Sequence, residues 1–342
     1  MSLFRRRSGA SGDANAFWSW WSSEGRELAE QSIAGRDTQD FARAMTARVH
    51  TLGDLAWALS PGEVSDHVLV ITAEGGPAAR AAARRAILAA PDADGAWSYV
   101  DSRPPSPEPE SVVLTTGGRD IDLARVRVAA RMNGPRFDVQ VQHPSFADLS
   151  EQERLNVTFL ALDAALGEVD TELWLGEVEP VELEPLDCFG LAALRSVVHD
   201  LKGRQLDADG RPGWTMLRGE TQAGPFLAMA RSPLHPLTAP HLDTYVAVLL
   251  PYAHRTEAGL PDGGSLVTLR AFEERLEEEL GTSGLVLAHL STAGVRTMHV
   301  YVDSTAGLLP AVKRVARSWD EGTARVHEMH DPGWQAVAHL RP

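Results

Sequence analysis

From Thr244 onward the apolar period of the sequence changes in an order that few folds accommodate. Residues 244–250 are apolar on both faces and read as a buried strand. Leu269, Phe272, Leu276 and Leu280 form the stripe of a helix. Residues 285–290 and 296–302 read as strands, with Ala293-Gly294 between them. Leu308, Val312, Val315, Ala316 and Trp319 mark a second helix, and residues 324–328 a last strand. The order β-α-β-β-α-β is the split unit of the ferredoxin-like fold. Right-handed crossovers put both helices on one sheet face and the first and third strands in the centre.

Parity within this unit makes a sharper expectation. Val286, Ala288 and Leu290, with Met298, Val300 and Val302, should face the helices. Pairing Leu290 with Met298 sets His289 opposite His299 and Leu287 opposite Tyr301, with a loop of about three residues around Gly294. The other sheet face then carries His289, His299, Tyr301 and Tyr245 or its neighbours. The first strand is apolar on both faces, so a cover is expected there: the N-terminal domain or a second copy of the chain. Two readings of the histidines stay open. They border that contact as neutral rings, or they line a functional cleft and weaken the contact when protonated.

Upstream, residues 1–13 read as a flexible lead-in and residues 14–202 as an elaborated α+β domain. Helices are expected over residues 14–32 and 38–59, with Phe17, Trp21, Leu28 and Ile33 on one docked side. His67-Val68-Leu69-Val70-Ile71-Thr72 reads as a buried strand and Pro77 opens the next helix. Strands follow at 97–100, 112–114, 123–131 and 137–142. Ser150 and Glu153 form a capping box for a helix with Leu155, Phe159, Leu162 and Leu166 at its apolar spacing. A strand over 171–178 and a helix over 187–201 complete the domain. The stretch 67–178 suggests a variant of the C-terminal plan. Glycines and a proline place the domain junction at 202–212, so the C-terminal domain covers 213–342.

The chain of 342 residues carries 47 Asp and Glu against 32 Lys and Arg, a formal charge of −15. That balance repels a phosphate backbone, and only Arg5-Arg6-Arg7 offers a basic patch, so no nucleic-acid partner is expected. Glu24, Glu27 and Glu30 beside Phe17, Trp18, Trp20 and Trp21 disfavour an anionic membrane as partner. One cysteine, Cys188, excludes an internal disulfide. With no signal-peptide pattern, a cytoplasmic location is expected.

The ending Asp331-Pro332-Gly333-Trp334, after the last strand, resembles a bacterial family of uncharacterised proteins, the domain-of-unknown-function 695 family. The resemblance covers the final third. The aromatic N-terminal helix, the strand 67–72, Ala90-Pro91 and Ala165-Leu166-Gly167-Glu168-Val169-Asp170 are similar to a region that accompanies such domains. The resemblance implies no activity, cofactor or catalytic residue.

Chemical motifs are sparse. Gly75-Gly76-Pro77 lies between strand and helix but lacks the phosphate-binding fingerprints. His327 and His330 project to opposite faces of a strand, and no third metal ligand lies nearby. Cys188 has no evident base. No catalytic residue, metal or cofactor is therefore assigned. The expected function is a non-enzymatic protein-binding or self-assembling module, with His289, His299 and Tyr301 as its binding residues. Asp331, Pro332 and Trp334 are its structural anchor. The alternative is an enzyme, possibly a hydrolase, with a site in the cleft between the domains.

Overall fold

The computed structural model describes residues 10–35, 38–116, 118–207 and 210–341. The basic triplet Arg5-Arg6-Arg7 lies outside them. The chain divides into two compact units, residues 8–205 and residues 206–342.

In the first unit, α1 (Ala10–Trp20) passes through one π-type turn, Trp21–Gly25, into α2 (Arg26–Ile33). The helix begins at Ala10, so the expected lead-in is shorter at its described end. Phe17, Trp18, Trp20 and Trp21 are buried and pack with α3 (Thr38–Leu52), while Ile33 is exposed. The aromatic tetrad is thus core. The second helix stops at Leu52, not residue 59, and β1 (Ala56–Pro61) follows. Gly53 ends the helical run with a φ of 148°.

β1 pairs antiparallel with β2 (His67–Thr72), and β2 pairs parallel with β3 (Trp97–Val100) across α4 (Pro77–Leu88). β4 (Val113–Thr116) and β5 (Arg119–Asp122) form a separate hairpin. β6 (Arg127–Asn133), β7 (Arg136–Gln142) and β8 (Leu175–Val181) form a third sheet. The strands of 67–178 therefore fall into separate sheets and do not repeat the C-terminal plan.

Between β7 and β8 lie α5 (Glu151–Leu166) and α6 (Glu168–Trp174). The Ser150–Glu153 capping box is present. The expected strand from residue 171 is instead helical to Trp174. Gly167 makes this possible: its φ is 79°, and a Cβ there would lie 2.9 Å from Pro105. α5 buries Val157, Thr158, Ala161, Leu162, Ala165 and Leu166 and leaves Phe159 exposed, so its apolar side is rotated from the expected one. α7 (Leu191–Gln205) starts four residues later than residue 187. Asp187 has a φ of 56°, and Phe189 is held to Val128 by backbone hydrogen bonds.

The second unit holds a six-stranded sheet of order β14-β11-β13-β12-β10-β9, antiparallel throughout. Its elements are β9 (Gly213–Thr221), β10 (Gly224–Ser232), β11 (Thr244–Pro251), α8 (Gly263–Leu280), β12 (Gly284–Thr292), β13 (Val295–Val302), α9 (Leu309–Arg317) and β14 (Arg325–His330). β11 and β13 lie side by side between β14 and β12, and the hairpin β9–β10 extends the sheet beyond β12. Leu269, Phe272, Leu276, Leu280, Val312 and Ala316 pack on Val246, Val248, Leu250, Val286, Met298 and Val300, so α8 and α9 share one face.

The opposite face is covered within the same unit. Leu234, Ala239 and Leu242 from the segment after β10, and Trp334, Val337 and Leu340 from the chain end, pack on Ala228, Ala230, Leu287, Ala288 and Tyr301. The cover expected from another domain or copy is thus this unit's own C-terminal segment and connector.

Candidate functional site

The register of β12 against β13 differs from the parity argument. Val286 pairs with Val300, but Ala288 pairs with His299 and His289 with Met298, because a bulge falls between Val286 and Ala288. Leu287 and Ala288 consequently both join the core of the chain-end face. A bulge inserts one unpaired residue and reverses the facing of every residue beyond it. The hairpin closes with Thr292 opposite Val295, leaving a two-residue turn. Both turn residues have positive φ, 48° at Ala293 and 82° at Gly294, as a type I′ turn requires.

His289 therefore lies on the helix side, paired with Met298 and Met229, and its ring is 6.2 Å from that of Trp214. His299 lies on the opposite face. The two histidines do not meet, and the proposed pair is corrected on this point.

Around His299 the chain-end face assembles an aromatic cluster. Tyr245 Oη is 2.8 Å from His299 Nδ1, and the rings stack at 5.9 Å. The His339 ring meets His299 edge-on at 6.0 Å. Tyr301 packs against Tyr245 at 5.3 Å and against Trp334 at 4.9 Å. The Tyr301 hydroxyl donates to Asp331 Oδ2 at 2.6 Å. Asp331 also accepts from the backbone N–H of Gln335 and Ala336, and so caps the turn that Pro332 leads into. Trp334 is 0% exposed and donates from Nε1 to the Leu242 carbonyl at 2.9 Å. Asp331, Pro332 and Trp334 fasten the chain end over the sheet.

Burial sets the electrostatics here. It pushes His299 down to about 4, with His339 adding to the effect. His289 is also pushed down to about 4, by burial first and then by the Arg296 charge. Tyr245 is pushed up to about 12 by burial and the Asp331 charge. Burial, followed by the Asp331 contact, raises Tyr301 as well. At neutral pH the Tyr245–His299 pair is uncharged, and neither member is poised for proton transfer near pH 7. The pair is suited to positioning rather than acid–base chemistry.

The other motifs carry less. Cys188 sits outside α7 with Sγ 3.5 Å from Glu184 Oε1, and partial burial and that carboxylate push the thiol up, away from thiolate. His327 and His330 are in β14 opposite Ala247 and Thr244. Among the described residues no group of three or more His, Cys, Asp or Glu is placed to hold a metal ion. No described helix is long and apolar enough to cross a membrane.

One concavity was missed by the sequence reading. A cleft of about 580 Å³ within the first unit is lined by Glu74, Asp163, Glu168, Glu172, Arg103 and Phe159, among others. Two readings hid it. Assigning residues 171–178 to a strand separated Glu168 from Glu172, which are one helical turn apart in α6. Placing Phe159 in the core concealed that Phe159 and Asp163, also four apart, share the cleft side of α5. The signal was present as i, i+4 spacing. Gly75-Gly76 forms the adjoining turn, and Gly76 spends its N–H on the Ala73 carbonyl. Glu74, Glu168 and Glu172 add negative charge there, so the turn is no phosphate cradle.

An α+β chain thus carries, at its C-terminal end, an antiparallel sheet with helices on one face and a chain-end strap on the other. Residues 213–339 match the family described as a family of unknown function, DUF695. The match spans the sheet and its strap, including Asp331, Pro332 and Trp334. No curated protein and no solved structure matches the chain.

Proposed function

We propose that this chain is a non-enzymatic assembly module that pairs with a second copy of itself through the free edge of its C-terminal sheet. In the same reading, the four strands β11 to β14 with α8 and α9 form a ferredoxin-like unit, extended by the hairpin β9–β10. The sheet order β14-β11-β13-β12 and the antiparallel pairing support that topology. The lone Cys188 suits a reducing, cytoplasmic setting.

The observation that carries the assembly reading is β9. It ends the sheet, runs nine residues and pairs with β10 without a bulge. Trp214 and Met216, on one face, are 37% and 51% exposed. Edge strands that must stay single are blunted by charge, bulges or shortness. The opposite edge, β14, follows that rule with six residues that include Arg325, His327, Glu328 and His330. β9 does not. A second copy is the occupant that its charges suit. An antiparallel two-fold about Gly219 sets Arg218 of each copy opposite Glu220 of the other, one favourable cross-strand pair on each side.

Sedimentation of the full chain tests this. The wild type is expected to dimerise, Arg218→Glu to dissociate, and the double change Arg218→Glu with Glu220→Arg to restore the dimer. A wild type that stays monomeric at about 100 μM, a weak affinity by any standard, refutes self-assembly. A double variant no better than the single one refutes this register.

A further inference from the structure

The helix side of the C-terminal sheet is only partly roofed. Among the described residues, the core beneath α8 and α9 draws on β11, β12, β13 and β14 and includes no residue of β9 or β10. The same face of β10 and β9 runs on past α8 as a shelf. We propose that this shelf binds a small organic acid, with its carboxylate held by Arg296 and His289 and its apolar body lying along β10 and β9. The site is complete in one copy and does not rest on the pairing of β9.

Strand pairing fixes the floor. Arg296 lies opposite Ser291, and Ser291 opposite Leu227. In the neighbouring row Met298, His289, Met229 and Met216 follow one another across four strands. Ala228 and Ala230 belong to the chain-end core, so alternation sets Leu227, Met229 and Arg231 on the helix side. At the outer end the Arg231 guanidinium lies over the Trp214 ring at 4.3 Å. Leu227 and Met229 are half-buried, and Met216 is exposed, so the floor offers apolar surface to a ligand.

The anchor is a buried cation without a counter-ion in contact. Arg296 is 6% exposed and keeps its charge at any ordinary pH. Its one hydrogen bond runs from Nε to Ser291 Oγ at 2.9 Å, which carries the guanidinium from β13 over β12 toward the shelf. Neither Nη group has a partner among the described residues. Buried charges are ordinarily paired, because their desolvation is otherwise uncompensated. Glu273 of α8 acts on Arg296 by its charge, but makes neither an ion pair nor a hydrogen bond with it. Burial raises the Glu273 carboxyl, which weakens it further as a counter-charge. His289 Nδ1 is a second buried atom on this face without a partner, and its ring lies within reach of the Arg296 charge. A planar guanidinium with free Nη donors matches a carboxylate. Glu273 and Glu277 border the same face and disfavour a phosphate dianion, so a monoanion is the occupant the charges suit. Apolar walls with a few convergent donors are the usual make-up of a small-molecule site.

Methyl NMR of the full chain, labelled at methionine, tests the proposal with hexanoate. Hexylammonium, 1-hexanol and acetate serve as controls. Hexanoate is expected to saturate with a Kd of about 1 mM or tighter, to shift Met216 and Met229, and to leave Met45 in the first unit unmoved. Hexylammonium and 1-hexanol should not bind, and acetate should bind about tenfold more weakly or less, for want of an apolar body. Arg296→Met should weaken hexanoate binding about tenfold or more, and Glu273→Gln should tighten it. Met229→Glu sets a like charge on the half-buried floor and should abolish binding with the thermal unfolding curve in place; it carries the test if the buried Arg296 variant fails to fold. Equal binding of hexylammonium or 1-hexanol overturns the proposal, as do shifts that spare Met216 and Met229. So does the absence of saturable hexanoate binding up to about 10 mM, a Glu273→Gln variant that binds more weakly, or a folded Arg296→Met or Met229→Glu variant that binds as the wild type does.

Discussion

Trp334→Ala removes the side chain that joins the chain end to the sheet. Trp334 is 0% exposed, packs tilted against Tyr301 with ring centroids 4.9 Å apart and donates to the Leu242 carbonyl at 2.9 Å. Truncating a buried tryptophan to alanine costs about 3–5 kcal/mol. Loss of the indole donor also leaves a buried carbonyl without its partner, a further contribution of about 1 kcal/mol or more. The backbone adds a second comparison. Trp334 sits in the left-handed region, with φ 53° and ψ 41°, which costs any residue with a Cβ about 1–2 kcal/mol. Trp334→Gly relieves that strain while creating the same cavity, so it should be no less stable than Trp334→Ala. Hydrogen exchange of the full chain reads the effect locally. Peptides from β11 and β13 should lose protection by about 3 kcal/mol or more, while β2 and α4 in the first unit serve as the internal control. A loss in β11 and β13 below about 1 kcal/mol, typical of a surface change, refutes the anchor.

Asp331→Asn puts an amide where three donors converge, and should cost about 1–3 kcal/mol in the same exchange measurement; an unchanged protection pattern counts against the capping role. Leu162→Ala, on the buried side of α5, should cost about 2–5 kcal/mol in chemical denaturation, against less than about 1 for the 42%-exposed Phe159; the reverse order would show the helix rotated. Chelation with EDTA should leave the melting temperature unchanged, as expected where no described cluster is placed to hold a metal. His289 and His299 titrate near 4 in the fold against 6.5 when free, so the unfolded chain binds the extra protons between those values. Their contribution is complete above about pH 6.5 and is lost as pH falls toward 4, at up to about 1.4 kcal/mol per pH unit for each ring. His299→Gln should flatten the stability profile in that window, and an unchanged slope between pH 7 and pH 5 speaks against the assignment.

Much of the C-terminal unit was legible because its signals are local and repeated. The stripe Leu269, Phe272, Leu276 and Leu280 is the buried side of α8, and each expected strand is present. Periodicity reports one buried face well. It does not report what buries the other, and the cover over Tyr301 is drawn from residues more than thirty positions away in the chain, at Trp334, Val337 and Leu340. In the first unit one error shows tertiary context at work. Residues 171–174 are Thr-Glu-Leu-Trp, acceptable in a strand, and are helical because Gly167 turns the chain tightly beside Pro105. Tertiary context there outweighs a weak local preference.

The histidine register failed for a different reason, and the failure bears on function. Val286-Leu287-Ala288-His289 contains no glycine or proline to announce a bulge, so strict alternation was the natural expectation. Both neighbours of the bulge have apolar destinations: Leu287 and Ala288 fill the core under the chain-end strap. Without the bulge, one of them would face α8, and His289 would enter the aromatic cluster beside His299. With it, His289 is turned to the helix side near Trp214, and the chain-end cluster holds His299, tied to Tyr245, with His339 edge-on to it. Two rings that each resist protonation are thereby placed on opposite faces of one sheet. Acid then strains both layers of the unit at once, the α8 side through His289 and the strap side through His299. A lone variant at either position can remove only its own share of that sensitivity, so the double variant His289→Gln with His299→Gln should be flatter between pH 7 and pH 5 than either alone.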